Sequence, residues 1–407
     1  MLDIKFVKEN KELVKENIKK KFQDQKLPLV DEVVEIYDKV CLLKLEGDNL
    51  RSEKNQASSQ IGLLMREGKK DDAEELKKKV VEINERLTLL EKEEVELNTI
   101  LRAKMMIIPN IIDSTVPIGK DDSCNVEIEK FGEPVVPDFE VPYHADILAS
   151  ISGLDKDSAG RTSGNGFYYL MGDAARIHSA MLSYARDFMI DKGFTYCIPP
   201  FMIRSDVVNG VMSFEEMDAM MYKIEGEDLF LIGTSEHSMI GRFKGQIVDE
   251  ASLPITLTSY SPCFRKEVGA HGIEERGVYR VHQFEKQEMV VLCKPEESMD
   301  WYNKMWSYTV EFFRSLDIPV RTLECCSGDL ADLKVKSCDV EAWSPRQKKY
   351  FEVGSCSTLG DAQARRLGIR TKGENGTYLV NTLNNLVVSI CTHLRESLKS
   401  LNLLRDL

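Results

Sequence analysis

The sequence has no apolar run approaching the roughly 20 residues that a membrane-spanning helix requires. Its first residues, MLDIKFVKENKELVKENIKKK, alternate charged and apolar side chains. They lack the continuous apolar stretch and small-residue cleavage site of a secretory leader. No two of the ten cysteines form a C-x-x-C pair, and the six histidines do not join them at zinc-finger spacing. The cysteines read instead as reduced thiols packed as small hydrophobes in a reducing compartment. Together these absences point to a cytoplasmic protein without a membrane partner. Positive charge is also scarce. A formal net charge of −13 argues against a general nucleic-acid coat protein, DNA-binding proteins included. Lys19-Lys20-Lys21 and Lys77-Lys78-Lys79 remain as local basic patches or as ordinary solvated faces.

What is present is ample. At 407 residues, 43% hydrophobic and 30% charged, the chain can build two domains, one with a full-sized core. Between Val33 and Leu64, positions 33, 36, 40, 43, 47, 50, 54, 57, 61 and 64 form a stripe broken only by Gly47 and Lys54. From Leu76 to Leu101 a second stripe runs through 76, 80, 83, 87, 90, 94, 97 and 101, with Glu94 the one polar intruder. Gly68 can end the first helix, and Asp71 or Asp72 can cap the second. Two heptad helices joined so briefly must fold back antiparallel. An arm of about 35 residues reaches roughly 50 Å at 1.5 Å per residue. Such a hairpin serves as a ruler or probe, or alternatively as an oligomerisation coiled coil.

Pro109 ends the second helix, and the texture changes to short strands between helices. The boundary therefore falls near residue 110, giving domains over 1–110 and 111–407. Asp173 can cap a helix whose apolar face is Ile177, Met181, Tyr184 and Phe188, ending at Lys192-Gly193.

The richest stretch is SPCFRKEVGAHGIEERGVYRVHQFEKQEMV, Ser261 to Val290, which reads as two antiparallel strands with a glycine-containing connection. Alternation places Arg265 and Glu267 on one side of the first strand. Arg280, Phe284 and Glu288 share a face of the second. Guanidinium groups suit phosphate, a ring suits a base, and a carboxylate suits an ammonium group. The plainer alternative is an exposed charged hairpin with Phe284 in the core.

Phe264-Arg265-Lys266-Glu267, Gly269-Ala270-His271-Gly272 and Arg280-Val281-His282-Gln283-Phe284-Glu285-Lys286 resemble motif 2 of the seryl-tRNA synthetases. Gly166-Phe167-Tyr168-Tyr169-Leu170, the helix after Asp173 and Ile198-Pro199-Pro200 resemble that family's motif 1, which builds a dimer interface. Gly233-Thr234-Ser235-Glu236-His237 resembles its serine-recognition segment. Cys338-Asp339-Val340-Glu341-Ala342-Trp343 and Glu352-Val353-Gly354-Ser355-Cys356-Ser357 resemble the strand pair before motif 3. With the arm, the resemblance covers essentially the whole chain.

The resemblance implies an α+β fold: an antiparallel class II sheet flanked by helices, preceded by the helical hairpin. It implies a homodimer that uses ATP and Mg²⁺ to activate L-serine. The product is transferred to serine tRNA, with selenocysteine tRNA a second acceptor in the same reading. Residue by residue, Arg265, Glu267 and Arg280 would carry catalysis. Arg265, Lys266, Glu267, Val281, Phe284, Glu352, Val353, Gly354 and Ser355 would hold the nucleotide, Glu352 and Ser355 binding the metal. Thr234, Ser235, Glu236, Arg265, Glu288 and Asn384 would form the serine pocket, and the arm would touch the tRNA.

Two positions depart from the family pattern. Asn381 to Thr392 aligns with motif 3, which opens a helix ending in a triphosphate-binding arginine. Leu386 stands where a hydroxyl residue is expected, and Thr392 stands where that arginine would be. The alternative reading is a catalytically impaired paralogue acting as a binding or regulatory protein. A ligase that loads serine onto a carrier protein would have no use for the long arm.

Overall fold

The computed structural model describes residues 1–267, 278, 280–374 and 376–389, apart from the side chains of Phe214 and Glu215. Residues 268–277 and Thr392 therefore lie outside the described residues. Two compact units are formed. One comprises Leu2–Lys19 and Gln23–Pro109, and the other Met1, Lys20–Phe22 and the chain from Asn110 onward.

The first unit is the hairpin. Its long helices span Leu27–Arg66 and Lys70–Met105. Every position of both stripes is buried or half-buried, while the intervening positions are largely exposed. The polar break at Glu94 of the second stripe is accommodated by ion pairing with Lys44 at 3.6 Å. Arg86–Glu46 at 2.8 Å and Arg51–Glu91 at 3.2 Å cross between the helices along the exposed flanks. Exposed pairs of this kind contribute little individually, so the apolar seam holds the hairpin. Gly68 turns the chain at φ +77°, a conformation that costs a residue with Cβ more than glycine. Asp71 and Asp72 do not cap the second helix as expected. Lys69 is its N-cap, and the aspartates occupy the first turn, where they complement the helix dipole. The short helix Ile4–Glu9 is tied to the long helix by Lys8–Asp38 at 2.6 Å.

The second unit is built on an eight-stranded sheet. In chain order its strands are β1 (Val126–Phe131), β2 (Thr195–Tyr196), β3 (Ile255–Phe264), β4 (Gln283–Cys293), β5 (Val320–Glu324), β6 (Lys336–Ser344), β7 (Lys349–Thr358) and β8 (Asn381–Ser389). They lie in the order β1-β5-β6-β7-β8-β4-β3-β2. All neighbours are antiparallel except β2 with β3. Lys21, read above as part of a basic patch, is buried in this unit. Its Nζ donates to the Leu330 carbonyl at 2.7 Å, which removes it from any docking surface.

β4 is buried along Lys286–Cys293 because both faces are covered. Met289, Val291 and Cys293 join Tyr302, Met305, Phe312 and Phe313 of the Ser298–Arg314 helix. Val290 and Leu292 face a second core with Met239, Ile240, Phe243, Leu367 and Ile369. On the helix Gly172–Asp191 the most buried residues are Ala174, His178, Leu182, Ala185 and Met189, one position beyond the expected face. Ile177, Met181 and Phe188 flank this line, and Tyr184 is exposed. Small residues on the contact line let the helix approach the sheet, and the larger ones pack along its margins. Asp173 lies in the first turn and binds Arg176, with Met171 as the N-cap.

Candidate active site

The second core stops at Val290, and the side chains continuing that face of β4 enter a cavity of about 410 Å³. Phe284, Lys286 and Glu288 line it at strict strand spacing. β3 ends at Phe264, so strand alternation does not place Arg265 and Glu267. Arg265 follows the strand directly, and Glu267 adopts φ +45°. Arg280 lies ahead of β4. All three nevertheless reach the same cavity, as does Val281.

The contacts preorganise these groups. Arg265 Nε donates to the Gly233 carbonyl at 3.2 Å, and its guanidinium sits 5.3 Å from the centre of the Phe284 ring. Arg280 and Glu267 approach at 3.5 Å. Thr234 donates its hydroxyl to Glu288 Oε1 at 2.9 Å, and Lys286 forms an ion pair with the same carboxylate.

Strand β7, separated from β4 by β8 in the same sheet, contributes through an irregularity. Its register on β6 pairs Gly354 with Val340 but Glu352 with Glu341, leaving Val353 as an extra residue. Residues three apart on a regular strand point to opposite faces. The bulge puts Glu352 and Ser355 on one face, and both line the cavity with Val353. Although the Glu352 side chain is solvent-exposed at the cavity, desolvation by the dense protein around its carboxyl, followed by repulsion from Asp339, pushes it up to about 7. The Ser235–Gly241 helix contributes Glu236 in its first turn. Burial raises that carboxyl too, opposed by hydrogen bonds from Gln363, at 2.8 Å, and Asn384. Burial and then the Arg265 charge drive His237 down to about 3, so its ring is neutral in the wall.

Thus Thr234, Glu236, Arg265, Glu267, Arg280, Val281, Phe284, Glu288, Glu352, Val353, Ser355 and Asn384 are brought together. Three expected residues are not. Ser235 is fully buried and turned to the Ser259 carbonyl at 3.5 Å. Lys266 reaches away to the Asp218 carbonyl at 3.1 Å. Gly354 packs against the sheet: a Cβ there would lie 3.0 Å from both the Leu386 carbonyl and Thr309. Its smallness serves packing. The Asn381–Ser389 part of the motif 3 alignment is a strand rather than the opening of a helix. Thr382, Leu383, Asn385, Val387 and Val388 are buried along it. Leu386 lines the cavity, opposite Glu288 in the register. Lys286 and Lys334 are cavity residues that sequence reasoning missed. Two-residue spacing from Phe284 and Glu288 identifies Lys286, whereas nothing local in sequence marks Lys334.

The described sheet, motif-like loops and mixed cationic and acidic cavity belong to a class II aminoacyl-tRNA synthetase. Residues 220–390 match the tRNA synthetase class II core domain (G, H, P, S and T), and residues 1–112 match the seryl-tRNA synthetase N-terminal domain. The chain is a member of the seryl-tRNA synthetase family. It is 37% identical to the serine–tRNA ligase of Methanoregula boonei, over 97% of this chain and 93% of that protein. Against the serine–tRNA ligase of Thermococcus sibiricus it is 39% identical, covering 96% and 90% respectively. The crystal structure of seryl-tRNA synthetase from Pyrococcus horikoshii complexed with ATP superposes with a TM-score of 0.92. Identity there is 36%, with 98% of this chain and 94% of that one covered. The cytoplasmic serine–tRNA ligase from Naegleria fowleri in complex with AMP gives 0.87 at 28% identity, covering 99% and 94%. These likenesses lend no support to the impaired-paralogue alternative.

Proposed function

We propose that this chain is a serine–tRNA ligase that activates L-serine with ATP and transfers it to the 3′ end of serine tRNA. The observation that carries this reading is the convergence of Arg265, Arg280, Phe284, Glu352 and the Thr234–Glu288 pair on one cavity. The carboxylate of serine is a weak nucleophile towards an electron-rich phosphorus. Catalysis must therefore hold two anions together in line and stabilise the departing pyrophosphate.

Arg265 is suited to the α-phosphate, Arg280 to the outer phosphates, Phe284 to the base and Glu267 to the adenine edge. Thr234, Glu236, Glu288 and Asn384 offer donors and acceptors for the amine and hydroxyl of serine. Lys286 holds Glu288 in place through their ion pair. Such a pocket discriminates against alanine, because its polar groups would be left unpaired. Glu352 and Ser355, presented on one face by the bulge, form an all-oxygen donor set that fits Mg²⁺. When bound there, the ion supplies charge neutralisation between phosphates. The resulting mixed anhydride is attacked at its carbonyl by the tRNA 3′-hydroxyl, releasing AMP.

The exposed, antiparallel hairpin suits a long RNA arm read by shape and backbone. Tyr169, Met171, Tyr184, Ile190 and Ile198 are exposed apolar residues in and beside the motif 1-like segments, which favours a homodimer. Among the described residues no helix is long and apolar enough to cross a membrane. With nine described free cysteines, this suits a cytoplasmic enzyme. Serine-dependent ATP–pyrophosphate exchange tests the reading. Exchange should rise with serine and fall about 10²- to 10³-fold in Arg265→Ala. Exchange independent of serine, or unaffected by Arg265→Ala, overturns it.

A further inference from the structure

Ahead of β1, Gly119 is buried between two cysteines that are 202 residues apart in sequence. A Cβ on Gly119 would lie 2.2 Å from Cys124 Cβ, and 3.0 Å from both Cβ and Sγ of Cys326. The Cβ atoms of Cys124 and Cys326 are therefore no more than about 5.2 Å apart, and a disulfide spans about 3.5–4.5 Å. Both thiols are free in this structure. Only a glycine at 119 leaves room for the two side chains to meet.

The two sulfurs differ in environment. Cys124 ends the short turn Asp122–Cys124, and every residue from Lys120 to Cys124 is exposed. Hydrogen bonds from the backbone at Lys120 and Asp121, and then from Ser123, hold its thiol below the ordinary cysteine value. Cys326 is wholly buried and fixed. Its N–H donates to Asn125 Oδ1 at 2.9 Å, and its Sγ donates to the Asp121 carbonyl at 3.1 Å. The neighbouring Cys325 is of another kind, because burial pushes its thiol far up. An exposed thiol held below its ordinary value, beside a sheltered one, is the arrangement of a peroxidatic and a resolving cysteine.

We propose that Cys124 and Cys326 form an intramolecular disulfide driven by hydrogen peroxide and reversed by thiol reductants, with Cys124 attacking and Cys326 resolving. The Cys124 thiolate attacks a peroxide oxygen. The O–O bond breaks, hydroxide leaves as water after protonation, and Cys124 becomes a sulfenic acid. Cys326 then attacks that sulfur. The S–S bond forms, the S–O bond breaks, and a second water leaves with the Cys326 proton. Two thiols are oxidised and one peroxide is reduced to two waters. Asp122, Ser123 and Asn125 also line a second cavity whose wall includes Glu352. The bond therefore fixes one rim of the space beside that carboxylate.

The test treats the full-length protein with a slight excess of hydrogen peroxide and maps its peptides without reduction. A Cys124–Cys326 linked peptide is expected, with the chain about 2 Da lighter, two fewer titratable thiols, and full recovery in dithiothreitol. Cys326→Ser should stop at a Cys124 sulfenic acid that dimedone traps, and Cys124→Ser should leave Cys326 unoxidised. The exposed Cys124→Ser site keeps the test open should the buried substitution impair folding. Linkage to another cysteine or between chains overturns the proposal. So does sulfinic acid at Cys124 without linkage, or oxidation of Cys124 no faster than exposed Cys41. The readout is mass, so its outcome is independent of ligase activity.

Discussion

The Thr234 hydroxyl donates to Glu288 across 2.9 Å within the buried wall of the cavity. Removing that donor with Thr234→Val leaves the carboxylate under-satisfied where serine is read. A hydrogen bond to a charged group contributes about 1.5–3 kcal/mol. KM for serine should rise about tenfold or more, with KM for ATP near its original value. Exchange kinetics at varied serine and ATP check this, and an equal rise in both constants would contradict the assignment of Thr234 to the serine side.

Leu386 faces the same pocket from β8, in register with Glu288. A hydroxyl there gives serine one more neutral partner, about 0.5–1.5 kcal/mol. Leu386→Thr should therefore lower KM for serine by roughly 2- to 10-fold. An unchanged or higher KM would mean that the leucine seals the pocket rather than depriving it of a partner.

On the other face of β4, Glu285 meets His178 and Tyr260. Burial alone would raise its carboxyl, but the hydrogen bonds from His178 and Tyr260 outweigh this and hold it below the ordinary value of 4.5. The folded pKa is depressed, so the stabilisation is present above 4.5 and is lost as pH falls through the folded value. Glu285→Gln should be less stable than the parent by about 2 kcal/mol at pH 7. The gap should close towards pH 3. Denaturant midpoints at both pH values check the sign, and a gap that widens in acid would refute it.

The arm forms a compact unit by itself. Replacing residues 36–100 with a short glycine-rich linker should leave serine-dependent exchange within about twofold and reduce tRNA charging at least about tenfold. Parallel exchange and charging assays decide, since equal loss of both would defeat the division of labour.

How much could be read beforehand depended on the range of the signal. The hairpin stripes were fully legible because an i, i+3, i+4 pattern needs no distant partner, and all eighteen positions are buried or half-buried. The cavity-facing set Phe284 and Glu288 followed from alternation, and Lys286 was available by the same rule. Other features were not legible. Glu352 and Ser355 share a face only through the β7 bulge, a property of pairing with β6 that Glu352-Val353-Gly354-Ser355 does not reveal. Ser235 sits inside a motif yet points into the sheet, because the first turn of its helix rotates it away from Thr234 and Glu236. Motif 3 was read as a helix opening from its resemblance, although Asn381–Ser389 is a strand buried or half-buried at every position.

The bulge at Val353 makes the joint use of Glu352 and Ser355 depend on how β7 pairs with β6. Straightening the strand at its present length would turn Glu352 and Ser355 to opposite faces, whereas loss of Val353 would leave them two apart and still on one face, with Glu352 opposite Glu341. The shared face thus survives loss of the extra residue but not its absorption into the ladder.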